Sequence, residues 1–476
     1  MPAHTARPTP AEPATAAALP TLWADHALTD EGWARAVTIT IARDGSIDAV
    51  RPDSPPPTGS AAIRCGVLLP ALANVHSHAF QHALAGLTER RGAHGSDSFW
   101  TWRERMFAFL PQLGPAEVEA ISAYVFMTSL QAGYAAIAEF HYLHHQPDGT
   151  PYSRLAEMSE RIAAAAASTG IGLSLLPVLY QQGGCDGRAL GAGQQRFGND
   201  LDRLARLHQE AVTAVRHLPA DCLVGVAPHS LRAVTPAALN EVLTLAPQAP
   251  VHLHLAEQRA EVDEVLHAYG QRPVAWLLDH APVDARWCLI HATQMTADET
   301  LGLAASGAVV GLCPETEANL GDGIFDGARF LNAGGRFGIG SDSNVRISLT
   351  GELRLLEYSQ RLQERSRAVL AAPEQSTGRA LLAAAAAGGA QATGRHAGAL
   401  APGRLADLVA LNADAPALAG LHGDNLLDAY VFAGDDTLVS DVWSAGRHLV
   451  RQGRHIRAGA ITEAFVRTMR GLRARL

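Results

Sequence analysis

Lysine is absent from this 476-residue sequence: all 38 basic residues are arginine. The absence excludes any mechanism built on a lysine amine, such as a Schiff base, and any carbamylated lysine bridging two metal ions. Cysteine is scarce. Cys65, Cys185, Cys222, Cys288 and Cys313 lie far apart, with no C-x-x-C pair. That spacing argues against a disulfide scaffold or a zinc ribbon and suits a reducing cytoplasm, the location expected for this chain. No apolar run reaches the roughly 18 residues of a membrane span. The opening stretch, MPAHTARPTPAEPATAAALP, lacks the apolar segment of a secretory signal, so residues 1–19 are expected to be a loose tail. Basic charge is in deficit as well. A formal net charge of −9 argues against nucleic acid or an anionic membrane as the main partner.

What the chain does contain is a large apolar fraction, 47%, enough for one large core and a smaller second one. Short, β-branched apolar runs recur between residues 68 and 342: LLPALANVH, AAIAEF, IGLSLLPVLY, CLVGVAPHS, PVHLHLAE, WCLIHAT, GAVVGLCP and RFGIGSD. Alanine-rich segments of helical character separate them. Eight such units predict an α/β chain folded as a parallel (β/α)8 TIM barrel over residues 67–392; a doubly wound open sheet is the alternative. Residues 20–66 and 393–460 alternate apolar and polar positions around glycine turns. They predict antiparallel strands pairing into one composite β-sandwich beside the barrel. Residues 461–476 have helical apolar spacing and predict a terminal helix.

The stretch NVHSHAFQH places His76 and His78 one residue apart at the end of the first predicted strand. Positions i and i+2 of a strand face the same side, so both imidazoles point one way. A pair of this kind is weak evidence in a chain with 21 histidines, and His252 with His254 forms another. The strand ends carry the argument instead. Reading only those ends gives His76 and His78, then Glu139 and His141, then Tyr180, His229, His254 with Glu257 beyond it, His291 and Asp342. In a barrel of this type the C-terminal ends of the strands line the reaction site. Imidazole nitrogen and carboxylate oxygen are zinc donors, and a catalytic zinc keeps one position for water. His252 lies deeper along its strand and reads as a core residue. Glu257, three residues past His254, is placed close to any metal-bound water.

The segments LPALANVHSH, HLHLAE, LIHAT, GIGSDSN and GALAPGRLADLVALN together resemble the amidohydrolase superfamily, over nearly the whole chain. With no lysine present, the resemblance points to its mononuclear deaminase branch. It implies that His76, His78, His254 and Asp342 hold one Zn2+ per subunit, with iron equally suited to these donors. It further implies that Glu257 shuttles protons and that His291 and Asp342 assist the attacking water. The loop-rich stretches HSHAFQHALAGLTER, DSFWTWRERMF, EFHYLHH, GQQRFGND and APHSLRAV resemble the formimidoylglutamate deiminases. That closer resemblance implies substrate contacts from Gln81, Arg103, Tyr142, His229 and Arg232, and a homodimer. The implied substrate is a small dicarboxylate amidine, for which two arginines at the barrel mouth are suitable carboxylate forks. Both are expected in loops, with Phe99, Trp100 and Trp102 packing beside them to exclude water. The sequence leaves His141, His144 and His145 without a role. It also leaves open whether the glycine-rich loop at 180–200 closes over the substrate. Two rival readings stand beside this one: a ring deaminase sharing the metal ligands, and a metal-free scaffold, which should have lost them.

Overall fold

All eight apolar runs are strands of one curled parallel sheet. The computed structural model describes residues 21–57, 62–91 and 98–475; the expected tail at 1–19 lies outside them. In chain order the barrel strands are Leu72–Ser77, Tyr134–His141, Gly172–Leu179, a fourth split into Leu223–Val224 and Ala227–Pro228, Val251–Leu255, Trp287–His291, Val309–Leu312 and Arg336–Ile339. Neighbours pair in parallel, and the eighth strand pairs with the first. The sheet closes between the fourth and fifth strands through single bridges, Val226 to Val251 and Ser230 to His254. The fourth strand is broken where Gly225 meets its neighbour: a Cβ there would lie 2.6 Å from Pro250 O. Each strand is buried along its whole length, apart from positions at its N-terminal end, as a sheet covered on both faces requires.

The flanking segments meet in a second sheet. Its order runs Arg454–His455, Arg447–Arg451, Val439–Ser444, Leu408–Leu411, Ala62–Pro70, Thr21–Thr29, Gly32–Ile41 and Ile47–Arg51. It curls back on itself: Ile47 N–H donates to Arg404 O at 2.7 Å, and Ala406 N–H to Gly45 O at 2.8 Å. The small core inside the curl includes Leu22, Ile39, Leu68, Leu408 and Trp443. Two expectations need correction. The sheet is not wholly antiparallel, because Thr21–Thr29 and Ala62–Pro70 run parallel at its centre. The change from sheet to barrel falls at Ala71, between the strands ending at Pro70 and beginning at Leu72, and not at residue 67. The reason is that Val67–Leu69, near the end of the strand Ala62–Pro70, is buried on both faces. Cys65 and Leu68 join the small core while Val67 and Leu69 join the barrel core, so the apolar run continues unbroken through the junction.

The last helix, Ala458–Arg473, packs on the helix Pro115–Gln131, where Phe465 stacks on Tyr124 at 3.9 Å between ring centroids. Among the described residues, no helix is long and apolar enough to cross a membrane.

Candidate active site

His76 and His78 leave the first barrel strand toward the point where the other strand ends converge. His76 Nε2 lies 3.1 Å from Nε2 of His78 and 3.1 Å from Nε2 of His254. Asp342 Oδ1 lies 3.4 Å from His76 Nε2 and 3.3 Å from His78 Nε2. The ring orientations are set from behind. His78 Nδ1–H donates to Phe140 O at 2.9 Å, and His254 Nδ1–H to His229 O at 3.1 Å. Both Nε2 lone pairs therefore point inward. Lone pairs facing one another at this range repel unless a cation lies between them. Ligand bonds of about 2.0–2.1 Å at tetrahedral angles hold donor atoms about 3.3 Å apart, which is the spacing seen here. The donor set fits a divalent metal.

Strained backbone supports this arrangement. Ala256, His291, Ala292, Asp342 and Asn344 have φ of 52°, 71°, 48°, 42° and 56°. A non-glycine residue held in this region costs about 1–3 kcal/mol, so the surroundings must impose it. They do so through buried hydrogen bonds. Asp342 N–H donates to His76 O at 2.9 Å, His78 N–H returns a bond to Asp342 O at 2.8 Å, and Asn344 Nδ2 donates to Asp342 O at 2.9 Å. Asn74 Nδ2 donates to Ser341 Oγ at 2.6 Å, which donates to Asn344 Oδ1 at 2.7 Å. The first and eighth strands are thereby knitted together below the four converging donors.

Beside this cluster, His291 Nε2 sits 3.7 Å from Asp342 Oδ2 and 3.8 Å from Glu257 Oε1. Burial pushes the Glu257 carboxyl up, opposed by His291, to about 7. Burial lowers the proton affinity of His291, but Glu257, Glu317 and Asp342 outweigh it and raise the group above its ordinary range. Two carboxylates unnoticed in the sequence hold these groups. Glu317 accepts from His291 Nδ1–H at 3.2 Å and from Cys313 N–H at 2.9 Å. Glu261 accepts from Ala256 N–H at 3.1 Å and Glu257 N–H at 3.0 Å, fixing the turn that presents Glu257. Neither had a usable sequence signal, because an acidic residue in the first turn of a helix is ordinary.

An open cleft of about 580 Å³ leads to the cluster. Its walls bring together Gln81, Arg103, Tyr142, His229 and Arg232 with His78, His254, Glu257, His291 and Asp342. His76 lies beneath the floor, fully buried. Arg103 is not in a loop: it lies on the helix Phe99–Phe109. Its guanidinium stands 5.6 Å from the Trp100 ring centroid and donates to Tyr180 OH at 3.2 Å. The Arg232 guanidinium stands 5.7 Å from the same ring. Arg232 is buried and its Nε has no hydrogen-bond partner, and among the described residues no carboxylate lies within 4.0 Å of either arginine. Arg103 is half-buried, and Glu261, Glu257 and Glu264 act on Arg232 only from beyond contact distance, so both guanidinium groups have donors left for an anion. Gln81 Nε2 donates to Tyr142 OH at 2.6 Å.

The 180–200 loop is pinned as a wall of this cleft. Arg196 donates to the carbonyls of His145 at 2.8 Å and Leu113 at 2.9 Å, and Gln194 Nε2 donates to Tyr180 OH at 2.7 Å. His144 Nε2–H bonds Val178 O and His145 Nε2–H bonds Gly198 O, so both hold backbone. His252 likewise donates to Ala392 O at 2.8 Å.

Burial lowers His252 to about 4 and His141 to about 3. Each is neutral in the fold and titrates near 6.5 when unfolded. Their contribution is complete above pH 6.5 and is lost as the pH falls toward 4. The loss is about 1.4 kcal/mol per pH unit for each group, so about 2 kcal/mol each at pH 5. Urea unfolding at pH 7 and pH 5 measures this; equal stability at both would refute the assignment.

Comparison with known proteins agrees with this geometry. Residues 67–449 match the amidohydrolase family, and residues 20–61 match the N-terminal domain of formimidoylglutamate deiminase HutF. The chain belongs to the amidohydrolase family. A formimidoylglutamate deiminase of Pseudomonas aeruginosa is 48% identical over 94% of this chain and 98% of its own. The crystal structure of an amidohydrolase from Brucella melitensis shares 48% identity and a TM-score of 0.90, covering 95% of this chain and 99% of its own. An 8-oxoguanine deaminase of Pseudomonas aeruginosa is 28% identical over 79% of this chain and 82% of its own. As a member of the family this chain is a metal-dependent hydrolase acting on carbon–nitrogen bonds of a small molecule.

Proposed function

We propose that this enzyme hydrolyses N-formimidoyl-L-glutamate to N-formyl-L-glutamate and ammonia, a step of histidine degradation. The observation that carries the substrate is the pair of arginines with no carboxylate in ion-pair contact, Arg103 and Arg232, in the same cleft as the metal-ligand cluster. The substrate's carboxylates supply the missing anions. A flat heterocycle has no use for two such groups, which disfavours the ring deaminase.

His76, His78, His254 and Asp342 would hold the metal, which we take to be zinc. When bound, zinc lowers the pKa of water from 15.7 to about 7 and makes a nucleophile available at neutral pH. Asp342 Oδ2 and His291 Nε2 face the site from one side, placed to orient that nucleophile, with the Asp342 carboxylate as the acceptor of its proton. Attack on the formimino carbon forms a C–O bond. Glu257 carries the proton to the departing nitrogen, the C–N bond breaks, and ammonia leaves. Gln81, Tyr142 and His229 line the path between the reacting carbon and the arginines. We further propose a cytoplasmic homodimer. All five cysteines are free, as suits a reducing compartment, and Leu362 (79% exposed) and Tyr358 offer apolar surface for self-association.

The test is ammonia release by the zinc-loaded protein from N-formimidoyl-L-glutamate, beside N-formimidoyl-L-aspartate, guanine and cytosine. Selective turnover of the glutamate compound is expected; turnover of a base alone would overturn the substrate. Arg232→Met should lower kcat/KM for that compound about 30-fold or more, chiefly through KM, since truncating one side of a buried charge pair costs about 2–5 kcal/mol. An unchanged KM would remove Arg232 from the carboxylate site.

A further inference from the structure

Asp342 faces two groups of donors, one with each oxygen. Oδ1 lies toward His76 and His78, whereas Oδ2 lies 3.7 Å from Nε2 of His291. Cys313 stands near both Asp342 and His291. Donor atoms of His291, Cys313 and Asp342 all lie within 4.8 Å of one another, and all three residues are buried. Glu317 accepts from His291 Nδ1–H, which leaves Nε2 as the nitrogen turned to Asp342. Cys313 follows the seventh strand, Val309–Leu312, and its sulfur occupies room left by Gly340: a Cβ there would lie 2.8 Å from Sγ.

We propose that His291, Cys313 and Asp342 form a second metal site, for a thiophilic divalent cation such as zinc or cadmium, and that filling it inhibits the enzyme. The proposal rests on the reading of His76, His78, His254 and Asp342 as holders of the first metal. One imidazole, one thiolate and one carboxylate make a zinc-type donor set. Bonds of about 2.0–2.3 Å at tetrahedral angles put such donors about 3.3–3.7 Å apart, so a modest contraction closes the triangle. The carboxylate of Asp342 would bridge the two ions, a part that no lysine can play in this chain. Binding forms a sulfur–metal bond and breaks the S–H bond; that proton, and any proton on His291 Nε2, passes to solvent. The cation arrives through the cleft, which His291 and Asp342 line. It then occupies Asp342 Oδ2 and His291 Nε2, the groups assigned to orienting the nucleophile and, at Asp342, to taking its proton. Losing general acid–base assistance is worth about 100-fold or more in rate.

The experiment is a titration of the metal-free protein with cadmium, reading bound equivalents by equilibrium dialysis and thiolate-to-cadmium charge transfer by ultraviolet absorption. In parallel, turnover of the zinc-loaded protein is followed as free zinc rises. The expected result is two equivalents per chain, the absorption band developing only with the second, and activity falling as that site fills. Cys313→Ala should bind one equivalent, lack the band, and stay active at zinc concentrations that silence the parent. One equivalent in the parent would overturn this proposal and leave the first site standing. So would two equivalents with activity sustained or raised, or inhibition unchanged in Cys313→Ala. No bound cadmium at all would overturn the first site's assignment, and this one with it. The parent's stoichiometry and band decide the matter even where the variant fails to fold.

Discussion

Glu257→Gln retains the metal and loses most turnover. Glu257 is not among the four converging donors, so its amide replacement leaves their number and charge intact. The position of the side chain is set by its backbone: Glu261 grips the N–H groups of residues 256 and 257, and neither bond involves the Glu257 carboxyl. Glutamine therefore occupies the same place, 3.8 Å from His291 in the parent, with the same shape. What it lacks is a proton that can be taken up and released. Burial has pushed the carboxyl up to about 7, where both forms are populated at neutral pH, and this is the condition for an efficient shuttle. The expected loss in kcat is about 100- to 10,000-fold, with metal content unchanged by elemental analysis. A variant with intact metal and kcat within a few-fold of the parent would falsify the shuttle role.

The second large effect lies at the opposite end of the barrel and concerns stability. Arg395 is buried, and each of its three nitrogens is hydrogen-bonded. Nε and one terminal nitrogen bond Asp407, each at 2.9 Å; the other bonds Asp221 O at 2.8 Å and Asp221 Oδ2 at 2.9 Å. Arg447 completes the network, bonding both oxygens of Asp221 at 2.7 and 2.8 Å. Asp407 and Arg447 belong to the terminal sheet, Asp221 to the barrel, and Arg395 to the chain between them. Arg395→Met leaves Asp407 buried without its counter-charge. The expected cost is about 3–5 kcal/mol, read as a lower urea midpoint at unchanged slope. Because the cost arises from the stranded carboxylate, adding Asp407→Leu should recover part of it. A single variant as stable as the parent would show that the junction is held by apolar contacts alone.

Much of the site was legible because strand residues alternate. His76 and His78 share a face at any fold in which NVHSH ends a strand, and eight apolar runs of suitable spacing leave few alternatives to a barrel. Glu257 followed from its distance along the chain to His254. The junction at Ala71 was hidden for an equally local reason: Val67–Leu69 is buried on both faces, so the pattern there cannot say where one sheet stops. The helix carrying Arg103 was also missed. FWTWRERMFAF buries only Met106 and Phe109, too few positions to mark a helix by periodicity.

By itself the sequence determined which chemistry is available: no lysine, scattered cysteines, and histidine and carboxylate donors at the ends of periodic apolar runs. Hydrophobic periodicity and strand geometry act over a few residues, and they suffice to line those donors up. Only the tertiary structure decided which groups remain unpaired and which are held. Arg232 lies in the cleft without a carboxylate in contact, Arg395 is held by two, Glu317 grips His291, and Cys313 comes within reach of Asp342. These outcomes depend on contacts between residues dozens to hundreds of positions apart. Whether a buried charge is neutralised or left to meet a ligand is settled by those neighbours, whatever the residue's own identity.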